Sequence, residues 1–360
     1  MQGVEYSIEH HGHRFLILHN ENAEDFAVAC TSVDNPGDWV ELIPHQQGTR
    51  LESVDAFLRH IVISQRRDGL TGLRVMADGS TDSYDMEFPE PIYSVSLAGN
   101  PEYDTNIVRI SYTSMITPDS VYDVNLITRA MVLRKQKPVL GEFDPGNYEQ
   151  FREWATAADG TRVPISVVAR KGTPRNGTAP LLLYGYGSYE ISMDPYFSIA
   201  RLSLLDRGVV YAIAHIRGGG EMGWRWYEEG KMLTKKNTFT DFVAAAHALV
   251  AAAWTAPDRL VARGGSAAWS AHGRGREPGA GGLRGHRRAG AVRRPADVHS
   301  GPVAAADGHG VGGVGQPARE CRRVRVHEVV QPVREHREAE VSRDPRRERP
   351  ERHPRALPRA

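Results

Sequence analysis

The sequence predicts a chain of three unlike parts: a β-propeller fragment of about three blades, an α/β domain and an Arg-rich tail. Three observations over the 360 residues carry this prediction. Short β-rich runs recur about every 46 residues near the start. Buried strands then alternate with a helical pattern, as in α/β proteins. Residues 271–360 differ from both in composition.

The repeat consists of the similar runs Phe15-Leu16-Ile17-Leu18, Ile61-Val62-Ile63 and Ile107-Val108-Arg109-Ile110. Another strand-like run precedes each of them, and turn residues and further strands follow. A period in the forties with four short strands is typical of propeller blades. A plain antiparallel sandwich with chance spacing is the alternative. Because three blades do not close a ring, we expect the chain to be truncated at its start.

From about Tyr148 the pattern changes to that of an α/β domain. Strand-like runs flank Asp159-Gly160-Thr161, which is a hairpin signal. The continuous apolar runs Pro180-Leu181-Leu182-Leu183-Tyr184 and Val209-Val210-Tyr211-Ala212-Ile213-Ala214 are typical of strands buried on both faces. A helix-like stretch separates them and ends at Arg207-Gly208.

A second helix and a serine turn come next. Thr238-Phe239-Thr240-Asp241 fits a capping box at the helix start. Apolar residues then recur at helical spacing, namely Phe239, Phe242, Val243, Ala246, Leu249 and Val250. The short strand Arg259-Leu260-Val261-Ala262-Arg263 leads into Gly264-Gly265-Ser266-Ala267. A Gly-flanked Ser after a buried strand is the context of a nucleophile elbow.

The chemistry of acyl transfer explains why that context matters. A serine hydroxyl is a weak nucleophile and must stand exposed beside a base. A sharp turn between strand and helix exposes the hydroxyl and directs the following backbone N–H groups at the developing oxyanion. Taken alone, Gly-Gly-Ser-Ala is as compatible with an ordinary turn as with an elbow.

Longer motifs resolve this ambiguity, because they resemble the prolyl oligopeptidase family of serine peptidases. The motifs are Leu183-Tyr184-Gly185-Tyr186-Gly187-Ser188-Tyr189, His215-Ile216-Arg217-Gly218-Gly219-Gly220-Glu221-Met222-Gly223, Asn237-Thr238-Phe239-Thr240-Asp241-Phe242 and Pro257-Asp258-Arg259-Leu260. Within the family, Gly99-Asn100-Pro101-Glu102-Tyr103-Asp104 and Tyr112-Thr113-Ser114 are similar to the oligopeptidase B branch. The resemblance runs from near residue 3 to Ala267.

The resemblance implies a seven-bladed propeller covering an α/β-hydrolase domain, with a Ser-Asp-His triad between them. It implies hydrolysis of short peptides after Arg or Lys through an acyl-enzyme. The nucleophile carries over to Ser266, and the oxyanion donors carry over to the Tyr186 hydroxyl and the Ala267 backbone N–H. Without the family, Tyr186 would be interpreted as a strand-end aromatic packed on the sheet. The predicted parts are a partial β-propeller over 1–142, a partial α/β-hydrolase peptidase domain over 143–268, and a tail over 269–360.

The resemblance stops after Ala267, where the second elbow glycine of the family is absent and no helical period follows. Residues 271–360 hold 20 Arg, no Lys and no Phe, Tyr, Trp, Ile or Asn. Such a composition is expected from a GC-rich gene translated in the wrong frame. In the shifted frame, His309 to Pro317 is compatible with Thr-Glu-Trp-Glu-Glu-Trp-Gly-Asn-Pro, which resembles the family downstream of its serine. We therefore interpret the tail as the product of a frameshift near residue 268.

The frameshift removes the Asp and His of the triad, so the sequence predicts that this chain is inactive as an enzyme. Residues 1–270 carry a net charge of −8 and residues 271–360 one of +9. A segment without aromatic residues cannot build a core that offsets chain entropy, so we expect a disordered tail. Clustered Arg favours weak adhesion to phosphates, but no motif indicates specific nucleic-acid binding.

The remaining expectations follow from composition. No run is apolar over the length of a membrane span and no signal peptide is visible, so we expect no membrane association and a cytoplasmic location. Cys30 and Cys321 alone make neither a disulfide framework nor a zinc site, and we expect no cofactor and no metal. Short peptides are the expected partners. The alternatives are a non-enzymatic binding protein that uses the propeller as a platform and a non-functional truncated product.

Overall fold

Three four-stranded antiparallel sheets, each a meander of consecutive strands, form the first part of the protein. The structure, a computed structural model, describes residues 3–265. The strands of the three blades are β1 (Tyr6–His11), β2 (Arg14–His19), β3 (Ala27–Ser32), β4 (Val40–Ile43), β5 (Thr49–Phe57), β6 (His60–Arg67), β7 (Leu70–Ala77), β8 (Ser83–Asp85), β9 (Tyr93–Leu97), β10 (Ile107–Ser114), β11 (Ser120–Asn125) and β12 (Met131–Gln136). The second strands of the blades begin at Arg14, His60 and Ile107, which confirms the repeat.

Alternating side chains join each blade to the next. On β6, Ile61 and Ile63 lie in an apolar cluster shared with the first blade, whereas Val62 lies in one shared with the third blade. This is the period of two expected for a strand, and it buries both faces of the middle blade. Three sheets stacked side by side are propeller blades. The two-sheet sandwich that the sequence left open is therefore excluded.

A five-stranded mixed sheet follows. Its elements are β13 (Tyr148–Thr156), β14 (Arg162–Arg170), β15 (Leu181–Tyr184), α1 (Ile199–Leu205), β16 (Val210–Ala214), α2 (Trp224–Glu228), α3 (Lys236–Ala251) and β17 (Leu260–Arg263). The strand order is β13-β14-β16-β15-β17. Strands β16, β15 and β17 are parallel, and β13 and β14 form the predicted antiparallel hairpin.

The two faces of this sheet are covered differently. Helix α3 contributes Ala245, Ala246 and Leu249 to the apolar core on one face. On the other face, Leu205 of α1 joins an apolar cluster that also contains Ile92 and Met115 from the propeller. The sheet is therefore packed directly against the third blade and the segment that leads into it.

The predicted capping box is wrong. Helix α3 begins at Lys236, and the cap position is held by Lys235, whose side chain makes no capping bond. The preceding 3-10 turn at Met232–Thr234 runs almost directly into the helix, so the helix starts before Thr238. Thr238 is fully buried, and its hydroxyl donates to the carbonyl oxygen of Arg217 at 2.7 Å instead of to the helix end.

Candidate active site

Three parallel strands end at the same edge of the sheet. The segments that leave β15, β16 and β17 there start at Gly185, His215 and Gly264. The Gly185 N–H donates to the Arg263 carbonyl at 3.2 Å, which fixes the end of β15 beside the end of β17. Ligands of open α/β sheets bind at the carboxyl ends of strands, so this edge is the candidate site.

Tyr186 is the one predicted site residue that the structure describes. It follows Gly185 directly and is half-buried. Within residues 3–265 its hydroxyl makes no hydrogen bond, unlike the hydroxyls of Tyr84, Tyr112 and Tyr148, so it can donate to another group. Ser266 and Ala267 lie outside the described residues, as does the tail over 269–360.

Close packing holds the segment after Tyr186 in place. Gly187 adopts a φ of +59°, and a Cβ on it would lie 2.6 Å from Thr238 Cγ2 and 2.7 Å from Ile216 Cγ1. A Cβ on Gly185 would lie 2.9 Å from the ring of Phe242. Glycine is required at both positions because no side chain fits between this segment and α3.

Two polar side chains at the start of α3 bind the same segment. The Lys235 ammonium donates to the Gly187 carbonyl and, at 2.6 Å, to Ser188 Oγ. The Thr238 hydroxyl lies 3.4 Å from the Gly187 carbonyl, beside its main acceptor on Arg217. Burial lowers the pKa of Lys235, because the charged ammonium is partly withdrawn from water.

A buried ion pair anchors the glycine-rich segment after β16. Arg217 makes two hydrogen bonds to Asp241 of α3, at 2.8 and 2.7 Å, and a third to Asp159 in the β13–β14 turn at 2.7 Å. Burial disfavours the charged guanidinium, but the two carboxylates outweigh this effect and raise the pKa of Arg217. The bond from Arg217 lowers the pKa of Asp159 to about 2. Arg217 thus ties the hairpin and α3 to the candidate site.

A second polar cluster is buried in the sheet. Ser166 Oγ lies 2.7 Å from His215 Nε2, and His215 Nδ1 lies 3.8 Å from Glu221 Oε1. All three side chains are at most 1% exposed. Burial lowers the pKa of His215 and outweighs the opposing effect of Glu221. The order Ser-His-Glu resembles a catalytic triad, but a substrate cannot reach a serine that has no exposed surface.

The propeller also contacts the candidate site. Asp25 is 3% exposed and accepts hydrogen bonds from the backbone N–H groups of Trp224 and Gly48, each at 3.0 Å. It occupies the N-terminus of α2, where Gly223 leaves room for a carboxylate that a side chain would displace. Glu24 pairs with Arg225 at 2.5 Å. A propeller carboxylate therefore completes the first turn of a hydrolase helix.

Sequence reasoning missed Lys235, Asp241, Asp25 and the Ser166 cluster. One signal was present for Arg217 and Glu221, since charged residues inside the run Arg217-Gly218-Gly219-Gly220-Glu221 have no reason to occur in a simple turn. In residues 3–265, His, Cys, Asp and Glu side chains form no group of three suited to a metal ion. None of the helices between residues 3 and 265 has the length and apolar character to cross a bilayer.

Propeller blades joined to an α/β sheet of this kind define a class of two-domain hydrolases. Residues 1–137 match the family described as "Prolyl oligopeptidase, N-terminal beta-propeller domain". Residues 195–267 match the one described as "Prolyl oligopeptidase family". The chain belongs to the prolyl oligopeptidase family, whose named relatives are peptidases.

Three relatives illustrate the similarity. "Dipeptidyl aminopeptidase BI" of Pseudoxanthomonas mexicana is 45% identical over 269 residues, covering 73% of this chain and 37% of that protein. "Protease 2" of Moraxella lacunata is 40% identical over 265 residues, covering 74% and 38%. The structure of oligopeptidase B from Trypanosoma brucei with covalently bound antipain, closed form, has a TM-score of 0.69 at 39% identity, covering 74% and 39%. The chain thus spans less than two fifths of these relatives.

Proposed function

We propose that this chain derives from a serine oligopeptidase that hydrolyses short peptides through an acyl-enzyme on Ser266. The observation that carries the proposal is the joining of β15 and β17 at the Gly185–Arg263 hydrogen bond. It places Tyr186, with an available hydroxyl, beside the end of the strand that leads to Ser266. A nucleophile and an oxyanion donor must converge in this way on one carbonyl.

In the proposed reaction Ser266 Oγ attacks the scissile carbonyl and gives its proton to a base, and the carbonyl oxygen becomes an oxyanion. The Tyr186 O–H and the Ala267 N–H donate to that oxyanion. Lys235 and Thr238 hold Gly187, the residue after Tyr186, and so keep the phenol from moving as charge develops. Donors fixed in advance stabilise the transition state without reorganisation at the moment of reaction.

We further propose cleavage after Arg or Lys. The sequence motifs resemble the oligopeptidase B branch, and relatives carry the names protease 2 and oligopeptidase B. The identity to a dipeptidyl aminopeptidase supports a second candidate, removal of dipeptides from a free amino terminus. A matched pair of Arg-containing peptide amides, one acetylated and one with a free amine, separates the two activities.

This polypeptide itself is proposed to be inactive. In the segments 185–198 and 215–223, His215 is the single histidine, and it is fully buried with Nε2 on Ser166. It cannot serve as the base for Ser266. The sequence after Ala267 assigns neither the His nor the Asp of a triad. Loss of the base removes most of the rate advantage of such a site.

The first prediction tests this proposal. Purified chain is assayed against a short peptide amide with Arg before the scissile bond, beside Ser266→Ala. We expect equal turnover, because no base activates the serine. Turnover well above the Ser266→Ala control would show that a histidine of the tail reaches Ser266. Resequencing codons 264–272 tests the frameshift, and the restored full-length enzyme should cleave the same substrate in a Tyr186-dependent manner.

A further inference from the structure

The hairpin of the middle blade contacts the hydrolase sheet at two points that lie two residues apart. Arg66, at the end of β6, is 6% exposed and forms a bidentate ion pair with Asp194, at 2.5 and 3.1 Å. The Asp68 carbonyl accepts a hydrogen bond from Arg152 of β13. Gly69 permits this approach, since a Cβ there would lie 2.5 Å from the Arg152 guanidinium.

Inside the hydrolase domain, polar contacts connect these two points. Arg152 donates to Ser166 Oγ at 2.9 Å, and Ser166 contacts His215. Glu221 lies beyond His215 and accepts the Met193 N–H at 2.9 Å. Met193 is the neighbour of Asp194 in the chain. The contacts therefore form a ring that leaves the propeller at Asp68 and returns to it at Arg66.

The donors in this ring have a fixed direction. Arg152 has only N–H groups, so Ser166 Oγ accepts from it, and the Ser166 proton is free to point at His215 Nε2. His215 then carries its proton on Nδ1, which faces Glu221. Two atoms of the ring, His215 Nδ1 and Glu221 Oε2, have no hydrogen-bond partner within residues 3–265. A ring of fully buried groups transmits the loss of one contact to its neighbours, because water cannot replace that contact.

The segment between Tyr186 and Asp194 needs such support. Tyr189 and Glu190 both have left-handed backbones, with φ of +57° and +59°. A left-handed conformation at consecutive residues other than glycine costs energy and persists only where the surroundings impose it. Lys235 holds the start of this segment at Gly187, Arg50 pairs with Glu190, and Glu221 and Arg66 hold its end.

We propose that the β6–β7 hairpin is a two-point clamp through which docking of the propeller orders the segment 187–194, with Arg66 and Glu221 as positioning residues for that segment. The consequence for catalysis rests on the proposed function, because it is Tyr186 that the ordered segment would hold in place. Neither residue touches a substrate in this scheme. The Ser166–His215–Glu221 cluster is assigned to this connection and not to a second hydrolytic site.

Hydrogen exchange in the full chain tests the clamp without any turnover. Arg66→Met removes the ion pair across the interface, and Arg67→Met is the matched control, since Arg67 is half-exposed and pairs with Asp85 within its own blade. We expect roughly tenfold faster exchange in peptides covering 188–198 for Arg66→Met, with β14 and β16 unchanged. Unchanged exchange in 188–198, an equal increase in Arg67→Met, or a uniform increase over the whole chain would overturn the proposal.

A second measurement distinguishes a ring from two independent contacts. Glu221→Gln should also accelerate exchange in 188–198, and the double variant with Arg66→Met should depart from the product of the two single effects by more than about twofold. A product within that limit would overturn the ring. Asp194→Asn breaks the same ion pair from a partly exposed side chain and replaces Arg66→Met if that variant does not fold. These results are independent of activity, whereas an unaltered rate of the restored enzyme in Tyr186→Phe would overturn only the proposed function.

Discussion

The Arg217–Asp241 ion pair lies where the glycine-rich segment, the β13–β14 turn and α3 meet. The two side chains are 3% and 0% exposed. Removing one partner of a buried pair leaves an unpaired charge, which costs far more than the same loss at the surface. The Arg59–Asp104 pair, at 53% and 64% exposure, provides the comparison within the same molecule.

We predict that Asp241→Ala lowers the free energy of unfolding by about 3–5 kcal/mol. Asp104→Ala should lower it by about 1 kcal/mol or less, because water screens that pair. Urea unfolding at neutral pH measures both. Similar losses in the two variants would show that burial does not set the contribution of Asp241.

Asp55 and Glu9 form a pair of carboxyls across the first two blades. Burial raises the pKa of Asp55, against the effect of a hydrogen bond from Ser53. Burial, and then the charge of Asp55, raise the pKa of Glu9. A raised carboxyl pKa gives stability that is complete below the unfolded value, 3.8 for Asp55, and is lost as pH rises through the folded value.

Asp55→Asn is therefore predicted to stabilise the chain at pH 7, because it removes a charge that burial disfavours. The gain should disappear below about pH 3.8, where Asp55 is already neutral in both states. The pKa of Glu9 should fall in the same variant. Urea unfolding at the two pH values and NMR titration of Glu9 test this. A gain of equal size at both pH values would contradict it.

At the scale of elements, the sequence predicted the strands well and their partners poorly. The runs at Phe15, Ile61 and Ile107 became β2, β6 and β10, because a period of two is written locally in the side chains. The start of α3 was predicted wrongly, since carbonyl groups from two other segments compete for the Thr238 hydroxyl. Only the assembled fold brings such carbonyls together.

The candidate site follows the same division. Tyr186 was found through a motif, and the structure describes it at a strand end. Asp25 could not be found in this way, because it caps a helix that lies some 200 residues further along the chain. Hydrogen bonds between residues so far apart have no local pattern in a single sequence.

Gly187 provides a test at this scale. Gly12 has a similar φ of +65°, but a Cβ there would meet nothing within 4 Å, whereas one on Gly187 would collide with Thr238 and Ile216. Gly12→Ala should cost about 1–2 kcal/mol for the left-handed backbone alone. Gly187→Ala should cost a further 1–3 kcal/mol or so from overpacking. Urea unfolding of both variants measures the difference, and equal costs would contradict the close packing described here.

At the scale of the whole molecule, one apolar cluster crosses from the propeller to the α/β sheet. Met115 is 1% exposed, lies between Ile92 and Tyr148 in this cluster, and its N–H donates to Gln150 of β13 at 3.2 Å. Because the same side chains fill the interior of both parts, we expect the two parts to unfold together.

Met115→Ala should lower the unfolding free energy by about 2–5 kcal/mol through the cavity it leaves. The urea midpoints of propeller and hydrolase peptides, followed by hydrogen exchange, should shift together. Met232→Ala, at an 87% exposed side chain, should change stability by about 0.5 kcal/mol at most. A hydrolase midpoint that stays at its original value while that of the propeller falls would show two independent cores.

The pairing of β15 with β17 also has a consequence for synthesis on the ribosome. Each blade pairs strands that are neighbours in sequence, so it can form soon after its last strand emerges. Leu181 instead pairs with Leu260, and this contact must wait until nearly the whole described chain has been translated. Domains fold from the N-terminus during translation, so the blades come first. The edge that holds Tyr186 is completed last, and a nascent chain stalled before residue 260 would carry finished blades beside a sheet that still lacks β17.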